Sequence, residues 1–259
     1  MNQLIDVSIM ENREGLDKLF FELASESRLG ILRELGAKNL RMQEVARRLD
    51  LTDTETCRQL QRLSDARLIQ KQPDGNYGLT AYAKLVLNIS SPLDFVSKFK
   101  EYFLEHEALS LPCEFRIRFE ELSGGQLSPI MMETFNRVAV MLRSAQERID
   151  VTIEVGSDLH LEIMMQRLKQ GLRVRWLIQE SFLNTAKATF LSEGKLPEIR
   201  VTPHIFSHLY LTEKAAAFCL RNNNGVMDYS TFFGEDQEFL KWTNDLYNHE
   251  WQKAKPWHK

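Results

Sequence analysis

Cysteine is scarce: Cys57, Cys113 and Cys219 stand far apart with no CxxC pair. That excludes a disulfide framework, argues against a zinc site and fits a reducing compartment. A redox switch on one of them is a less common alternative, buried inert thiols being the usual case. Nowhere does the chain reach the roughly 20 apolar residues in a row that a membrane-spanning helix needs. The opening MNQLIDVSIMENRE has no basic segment followed by an apolar core, so no signal peptide is expected. The expected location is the cytoplasm, with no membrane partner. Charge of one sign is lacking too: 33 Lys and Arg against 36 Asp and Glu leave a net charge of −3, which excludes an indiscriminately basic, histone-like binder. No G-x-S-x-G, P-loop, G-x-G-x-x-G or H-E-x-x-H occurs. The chain is therefore expected to be no enzyme and to need neither cofactor nor metal. What is present is 259 residues, 43% hydrophobic and 27% charged, enough for two domains with sizeable cores.

The most informative stretch runs from Met42 to Thr80. Val45, Ala46 and Leu49 recur on one helical face, which suits a short supporting helix, and Asp50-Leu51 reads as a turn. Thr52 with Glu55 three residues on makes a capping box, so a second helix is expected to start at about Thr52 to Thr54. At 100° per residue, Thr56, Leu60 and Leu63 fall on its inner side, and Thr54, Glu55, Arg58, Gln61 and Arg62 fall opposite. A donor-rich helix of this kind fits the major groove of B-DNA, where Arg pairs with guanine, Gln with adenine, and Thr meets phosphates or thymine methyls. Leu68 to Lys71 and Tyr77 to Thr80 flank Pro73-Asp74-Gly75-Asn76, which reads as a β-hairpin. The expected DNA contacts are Thr52, Thr54, Glu55, Arg58, Gln59, Gln61 and Arg62 on the helix, and Lys71 and Asn76 on the hairpin, with Arg58 the foremost base reader. Taken alone, such a polar helix face is more often merely solvated; the hairpin beside it shifts the balance. Residues 38–71 carry eight cations and five carboxylates, a modest excess that suits a dimer doubling its phosphate contacts.

The order Ser25-Glu26-Ser27-Arg28-Leu29-Gly30-Ile31-Leu32, Glu44 to Leu49, Thr54 to Leu63 and Ala66-Arg67-Leu68-Ile69 resembles the arsenical-repressor-like winged-helix regulators over residues 14–80. The resemblance implies a winged helix-turn-helix that binds DNA. Many members of that family sense metals through Cys and His; here Cys57 stands alone on its helix, so metal sensing does not carry over.

The remainder gives the domain plan. Leu16, Leu19, Phe20 and Leu23 share a stripe on a first helix over 14–24, a candidate for dimer contact, and Leu29, Ile31, Leu32 and Leu35 share one over 26–36. Thr80 caps a helix to about Ile89, and Pro92 starts another to about Leu109 whose Phe95, Phe99, Tyr102 and Phe103 point to interior or interface packing. Residues 112–122 read as helix. A helix over 129–147, strands at 149–155, 172–178 and 199–202, and helices at 158–170 and 181–193 between them imply βαβ units. A hairpin of His208 to Thr212 and Ala216 to Leu220 follows, and Asp236 to Lys253 closes the chain as a helix. The expected fold is a two-domain α+β and α/β protein: a winged helix-turn-helix over 1–90, a linker helix over 91–111, and an α/β effector domain over 112–259 with a mostly parallel sheet plus a hairpin.

Gly171 to Ile178, Leu209 to Thr212, Asp228-Tyr229-Ser230-Thr231, Asp236, Trp242, Leu246-Tyr247 and Trp251 resemble the effector domain of archaeal winged-helix regulators named for the methanogen filamentation regulator. That family usually carries Gly after the tryptophan, where Thr243 stands here. The resemblance implies an archaeal, dimeric transcription factor whose second domain binds something small. In an open α/β sheet, ligands gather beyond the carboxyl ends of the strands. Glu154, Gln179, Glu180, Thr202 and His204 fall there, with Trp176 or Tyr229 as an apolar wall. For each of them a solvated or capping role is the more common one. Domains of this layout also resemble phospholipase D-type folds, whose chemistry uses a histidine and a lysine two residues on. His208 is followed by Leu209 and Tyr210, so that H-x-K is absent and a phosphodiesterase-like enzyme is disfavoured. A protein-interaction scaffold built on the winged helix is the remaining alternative, since Asp53 and Glu55 dilute the positive potential. The expected function is a homodimeric regulator that binds double-stranded DNA at a two-fold operator. A small effector in the second domain would alter the placement of the two recognition helices.

Overall fold

The structure is a computed structural model that describes residues 13–154, 157–184 and 196–257. Contacts divide the chain into two units, Met1–Ser90 and Ser91–Lys259.

The first unit begins with α1 (Arg13–Leu23) and α2 (Glu26–Ala37), followed by α3 (Met42–Leu49) and α4 (Asp53–Asp65). Ser25 caps α2 by accepting the Arg28 N–H. Asp50, at φ 52° and ψ 43°, ends α3 in the left-handed region that Asp tolerates, which turns the chain sharply into α4. Thr52 then caps α4, its hydroxyl accepting the Glu55 N–H at 3.2 Å. The expected capping box is only half formed, because the Glu55 carboxylate turns forward to Arg58 and Gln59 instead of back to Thr52. β1 (Ile69–Lys71) and β2 (Tyr77–Leu79) form an antiparallel hairpin, and Leu40 bridges to Tyr77 as its third member. Gly75, at φ 85°, takes the left-handed corner of the turn. Ile31, Leu32, Leu35, Val45, Leu60, Leu63 and Leu68 form the buried core. The layout is a helical pair braced by two further helices and followed by a hairpin.

α5 (Ala81–Lys98) is capped by the Thr80 hydroxyl, which accepts the Ala83 N–H at 3.1 Å. Pro92 lies inside α5 and does not start a new helix, so the expected break near residue 90 is absent; the helix yields instead at Phe99, ahead of α6 (Lys100–Glu105). The segment 91–111 therefore belongs with the second unit and is not one linker helix. α7 (Cys113–Arg116) and a 3-10 turn at Phe119–Leu122 replace the single helix expected over 112–122.

The second unit is built on an eight-stranded sheet: β3 (Gln126–Ser128), β4 (Arg148–Ile153), β5 (Arg173–Gln179), β6 (Glu198–Thr202), β7 (Ser207–Leu211), β8 (Ala216–Leu220), β9 (Thr231–Gly234) and β10 (Lys255–Pro256). Their spatial order is β10-β6-β5-β4-β7-β8-β9-β3. Only β4–β5 and β5–β6 pair in parallel; every other neighbour is antiparallel. The expectation of a mostly parallel sheet is thus corrected. The βαβ signal is real for β4, α9 (Asp158–Lys169) and β5, but β3, β9 and β10 have four residues or fewer and carry no alternation long enough to see. Of the helix expected over 181–193, Glu180–Asn184 form a 3-10 turn and the rest lies outside the described residues.

Both faces of the sheet are covered. Ile149, Val151, Ile153 and Trp176 meet α8 (Met131–Ser144) and α9 on one side. Leu209, Phe218 and Phe232 meet Phe95, Tyr102 and α10 (Gln237–Lys253) on the other, where the aromatic stripe of the sequence is interior packing. Asp150 on β4 is fully buried and held by Arg175 at 2.7 Å and Arg148 at 3.0 Å.

Candidate nucleic-acid interface

α4 is fixed from behind by a buried polar hub. Arg28 is 6% exposed: Nε donates to the Glu22 carbonyl at 2.9 Å, Nη2 to the Phe21 carbonyl at 2.6 Å, and Nη1 to Gln59 Oε1 at 3.2 Å. The Glu22 carboxylate pairs with Arg28 and with Arg62, both at 2.8 Å. Arg62 also lies over the Phe21 ring, and its bond to Glu22 holds its pKa above the usual arginine range. Two residues expected to touch DNA therefore do something else. Gln59 is buried between Arg28 and Glu55, and Arg62 ties α4 to α1. Their place on the helix was legible, but the partner 31 to 40 residues away was not.

The face left to solvent carries Thr54, Cys57, Arg58 and Gln61, all exposed and spaced i, i+3, i+4, i+7. Cys57 is the member that sequence reasoning missed; its spacing from Thr54 and Gln61 was the available signal. Arg58 is 68% exposed and pairs with Glu55 at 2.6 Å. Bonds from Gln59 and from Arg58 hold the Glu55 carboxyl below its ordinary pKa, so it stays ionised and serves to aim Arg58. Gln61 donates to Asp65 at 2.8 Å, and Thr52 is occupied as the cap. On the hairpin, Lys71 is exposed with its ammonium 5.7 Å from the Tyr77 ring centre. Asn76 folds back on Asp74, its N–H donating at 3.0 Å and its Nδ2 at 2.7 Å, which shapes the turn and keeps the Asp74 carboxyl below its usual range. If Lys71 meets a phosphate, Lys71→Ala should weaken binding to every duplex about equally and reduce the salt slope by about one unit. Filter binding over a salt series checks this, and a loss confined to one sequence would contradict it.

Of the residues expected to line a ligand pocket in the second unit, Glu154 and Gln179 meet at Arg221 and Thr202 is the cross-strand partner of Gln179, whereas Trp176 lies apart in the core. Trp176 is 1% exposed in the core under α8 and α9. Glu154 and Gln179 are both engaged by Arg221, at 2.7 and 3.2 Å. The Thr202 hydroxyl donates to the His204 carbonyl, the His204 ring lies against Phe206, and Glu180 is exposed in the 3-10 turn. Tyr229 alone stands beside a buried polar group, His208, at 6.0 Å between ring centres. Among the described residues no group of three or more His, Cys, Asp or Glu is placed to hold a metal ion. No described helix is long and apolar enough to cross a membrane.

Residues 131–253, which take in α8, α9, α10 and all but the edge strands of the sheet, match the family model of the middle domain of the methanogenesis regulatory protein FilR1. Over those residues the second unit is similar to that middle domain. Among curated proteins none matches the chain. Solved structures of similar outline include TrmBL2, an archaeal chromatin protein, at 16% identity over 87% of this chain and 92% of that one, TM-score 0.43. NucT from Helicobacter pylori follows at 13% identity over 51% and 97%, TM-score 0.42, and the phospholipase D family member Nuc from Salmonella typhimurium at 11% over 48% and 91%, TM-score 0.39. At those scores none of the three carries a functional argument. The likeness to the FilR1 middle domain rests on the family match alone.

Proposed function

We propose that the chain is a transcriptional regulator that binds double-stranded DNA through α4 and the β1–β2 hairpin, works as a homodimer on a two-fold operator, and is modulated by a small ligand in its second unit. The observation that carries the reading is the face of Thr54, Cys57, Arg58 and Gln61, exposed on a helix that the Arg28–Gln59–Glu22 hub holds rigid, next to a lysine-bearing hairpin. Rigid presentation of a few base-reading side chains, with cations nearby for phosphates, is what groove recognition needs. The printed name of the matched family, a regulatory protein, agrees with it. Catalysis is not part of the proposal, because His208 lacks a lysine two residues on. Electrophoretic mobility shift with the DNA upstream of the chain's own reading frame, over a salt titration, tests it. A specific shift that weakens steeply with salt supports the reading, and no affinity for any duplex in dilute buffer would sink it.

Dimerisation is supported by α5 and α1. Tyr82, Leu85 and Ile89, three and four residues apart along α5, are 48, 57 and 67% exposed, and Leu16 and Phe20 on α1 are 54 and 52% exposed. Such repeated apolar exposure on helices marks a surface that another chain covers, and a two-fold copy presents the same stripe in return. The double substitution Leu85→Glu, Ile89→Glu should convert a dimer into a monomer in light scattering after gel filtration and lower the salt slope of DNA binding to about half. A wild-type chain that runs as a monomer at micromolar concentration contradicts this part of the proposal.

A further inference from the structure

The second unit holds a buried imidazole whose hydrogen-bonding capacity is unused. His208, in β7, is 2% exposed, and neither Nδ1 nor Nε2 has a partner among the described residues. Buried polar groups are overwhelmingly paired, so an orphaned imidazole asks for an explanation.

The rings that face it are aromatic, and the charged groups near it are paired with one another. The rings of Tyr210 and Tyr229 stand edge-on to His208, at 6.2 and 6.0 Å. Phe135 on α8 lies 5.0 Å from Tyr229 and 5.2 Å from His160 on α9, so two helices and the sheet enclose the group. His160 Nε2 faces the Phe135 carbonyl at 2.9 Å and therefore carries the proton, which leaves Nδ1 as acceptor for the Tyr210 hydroxyl at 3.5 Å. Tyr210 Oη keeps its own acceptor capacity. Burial pushes His208 down to about 4, with Arg221 and His160 adding to the effect, and raises both tyrosines. At neutral pH these groups carry no charge.

The charged groups nearby are committed. Arg221 donates to the carbonyls of Ile205 and Gly225 and to Gln179, and pairs with Glu154; Asp228 pairs with His106 at 3.0 Å. An anion there would meet these carboxylates, with Arg221 already paired to Glu154. Tyr229 itself sits at φ 65°, a region that a bulky residue rarely adopts. It is held there by the hydroxyls of Thr134 and Thr231, which donate to its carbonyl at 3.1 and 2.8 Å. Strain that the surroundings enforce is characteristic of ligand clamps. Tyr229 is partly exposed, whereas His208 is buried.

We infer that His208 is the anchor of the effector site, that Tyr229 is its movable wall, and that the ligand is a small, uncharged, hydroxyl-bearing molecule. This rests on the reading that the domain receives a small ligand. A hydroxyl both donates and accepts, so it can satisfy the imidazole and Tyr210 Oη together, while the aromatic rings pack against its carbon skeleton.

The test is calorimetric titration of the full chain, without DNA, using glycerol, D-glucose and myo-inositol as neutral probes and sodium phosphate and tetramethylammonium chloride as charged ones. Saturable binding of a neutral probe is expected, weakened at least tenfold in His208→Phe and in Tyr229→Ala. In the wild-type chain the same probe should shift the imidazole nitrogen resonances of His208, a readout that survives if a variant fails to fold. The inference is overturned if no neutral probe saturates, if phosphate or tetramethylammonium binds instead, or if the imidazole is bonded to an ordered water that no probe displaces. Because DNA is absent, failure here leaves the DNA-binding reading standing, and loss of operator binding leaves this one standing.

Discussion

Arg58→Ala is expected to lower the preference for the operator over unrelated duplex by roughly ten- to a hundredfold, the ~1–3 kcal/mol that a bidentate contact to a base contributes to discrimination. Its guanidinium is 68% exposed at the centre of the outward face, with Thr54, Cys57 and Gln61 around it. In the free protein it leans on Glu55 at 2.6 Å, and exposed pairs of this kind contribute little to stability. The substitution should therefore leave the folded state unchanged while removing the donor fork. Binding to unrelated DNA should fall only by the share of one positive charge. Competition mobility shifts with specific and scrambled duplexes measure both quantities in one experiment. If operator preference survives intact in Arg58→Ala, α4 is not the reading helix.

Trp242→Ala should destabilise the second unit by roughly 3–5 kcal/mol, the usual cost of deleting a large aromatic ring from a core. Trp242 is fully buried on α10, with its ring 4.9 Å from Phe218, 5.8 Å from Phe115 and 6.0 Å from Phe119. Its Nε1–H donates to the Phe115 carbonyl at 3.0 Å, so alanine leaves a cavity and removes one of that carbonyl's bonds, the Arg118 N–H at 3.2 Å remaining. Trp242→Phe keeps most of the ring volume and loses the hydrogen bond, and should cost markedly less. Urea denaturation of the full chain checks both, the loss falling in the transition of the unit that contains α10. Equal effects of the two variants would show that the hydrogen bond, not the packing, dominates.

The reach of sequence reasoning follows the range of the interactions. Local chemistry was readable: Thr52 and Thr80 cap helices where expected, the closing helix begins within one residue of its expected start, Gly171 and Gly75 take left-handed corners, and the two helices and hairpin of the first unit fall within a few residues of their expected bounds. Long-range pairing was not. Whether a strand lies parallel or antiparallel to its neighbour depends on where the chain goes next, and β3, β9 and β10 are too short to announce themselves. The interface shows the same division. A helical wheel separates inside from outside but is blind to Glu22, whose carboxylate draws Arg62 away from the outer face, and to Arg28, which claims Gln59. The unpaired state of His208 was equally hidden, since alternation along β7 only says that it faces inward.

Among the described residues the large sheet finishes, at either margin, in strands of three and two residues, the latter containing Pro256, which has no N–H to offer. So brief a rim is a poor template for strand-to-strand growth. Self-association through the sheet is thereby discouraged, so any second copy would have to dock on helical surfaces, whose side chains can specify a single partner and a closed, finite count of subunits.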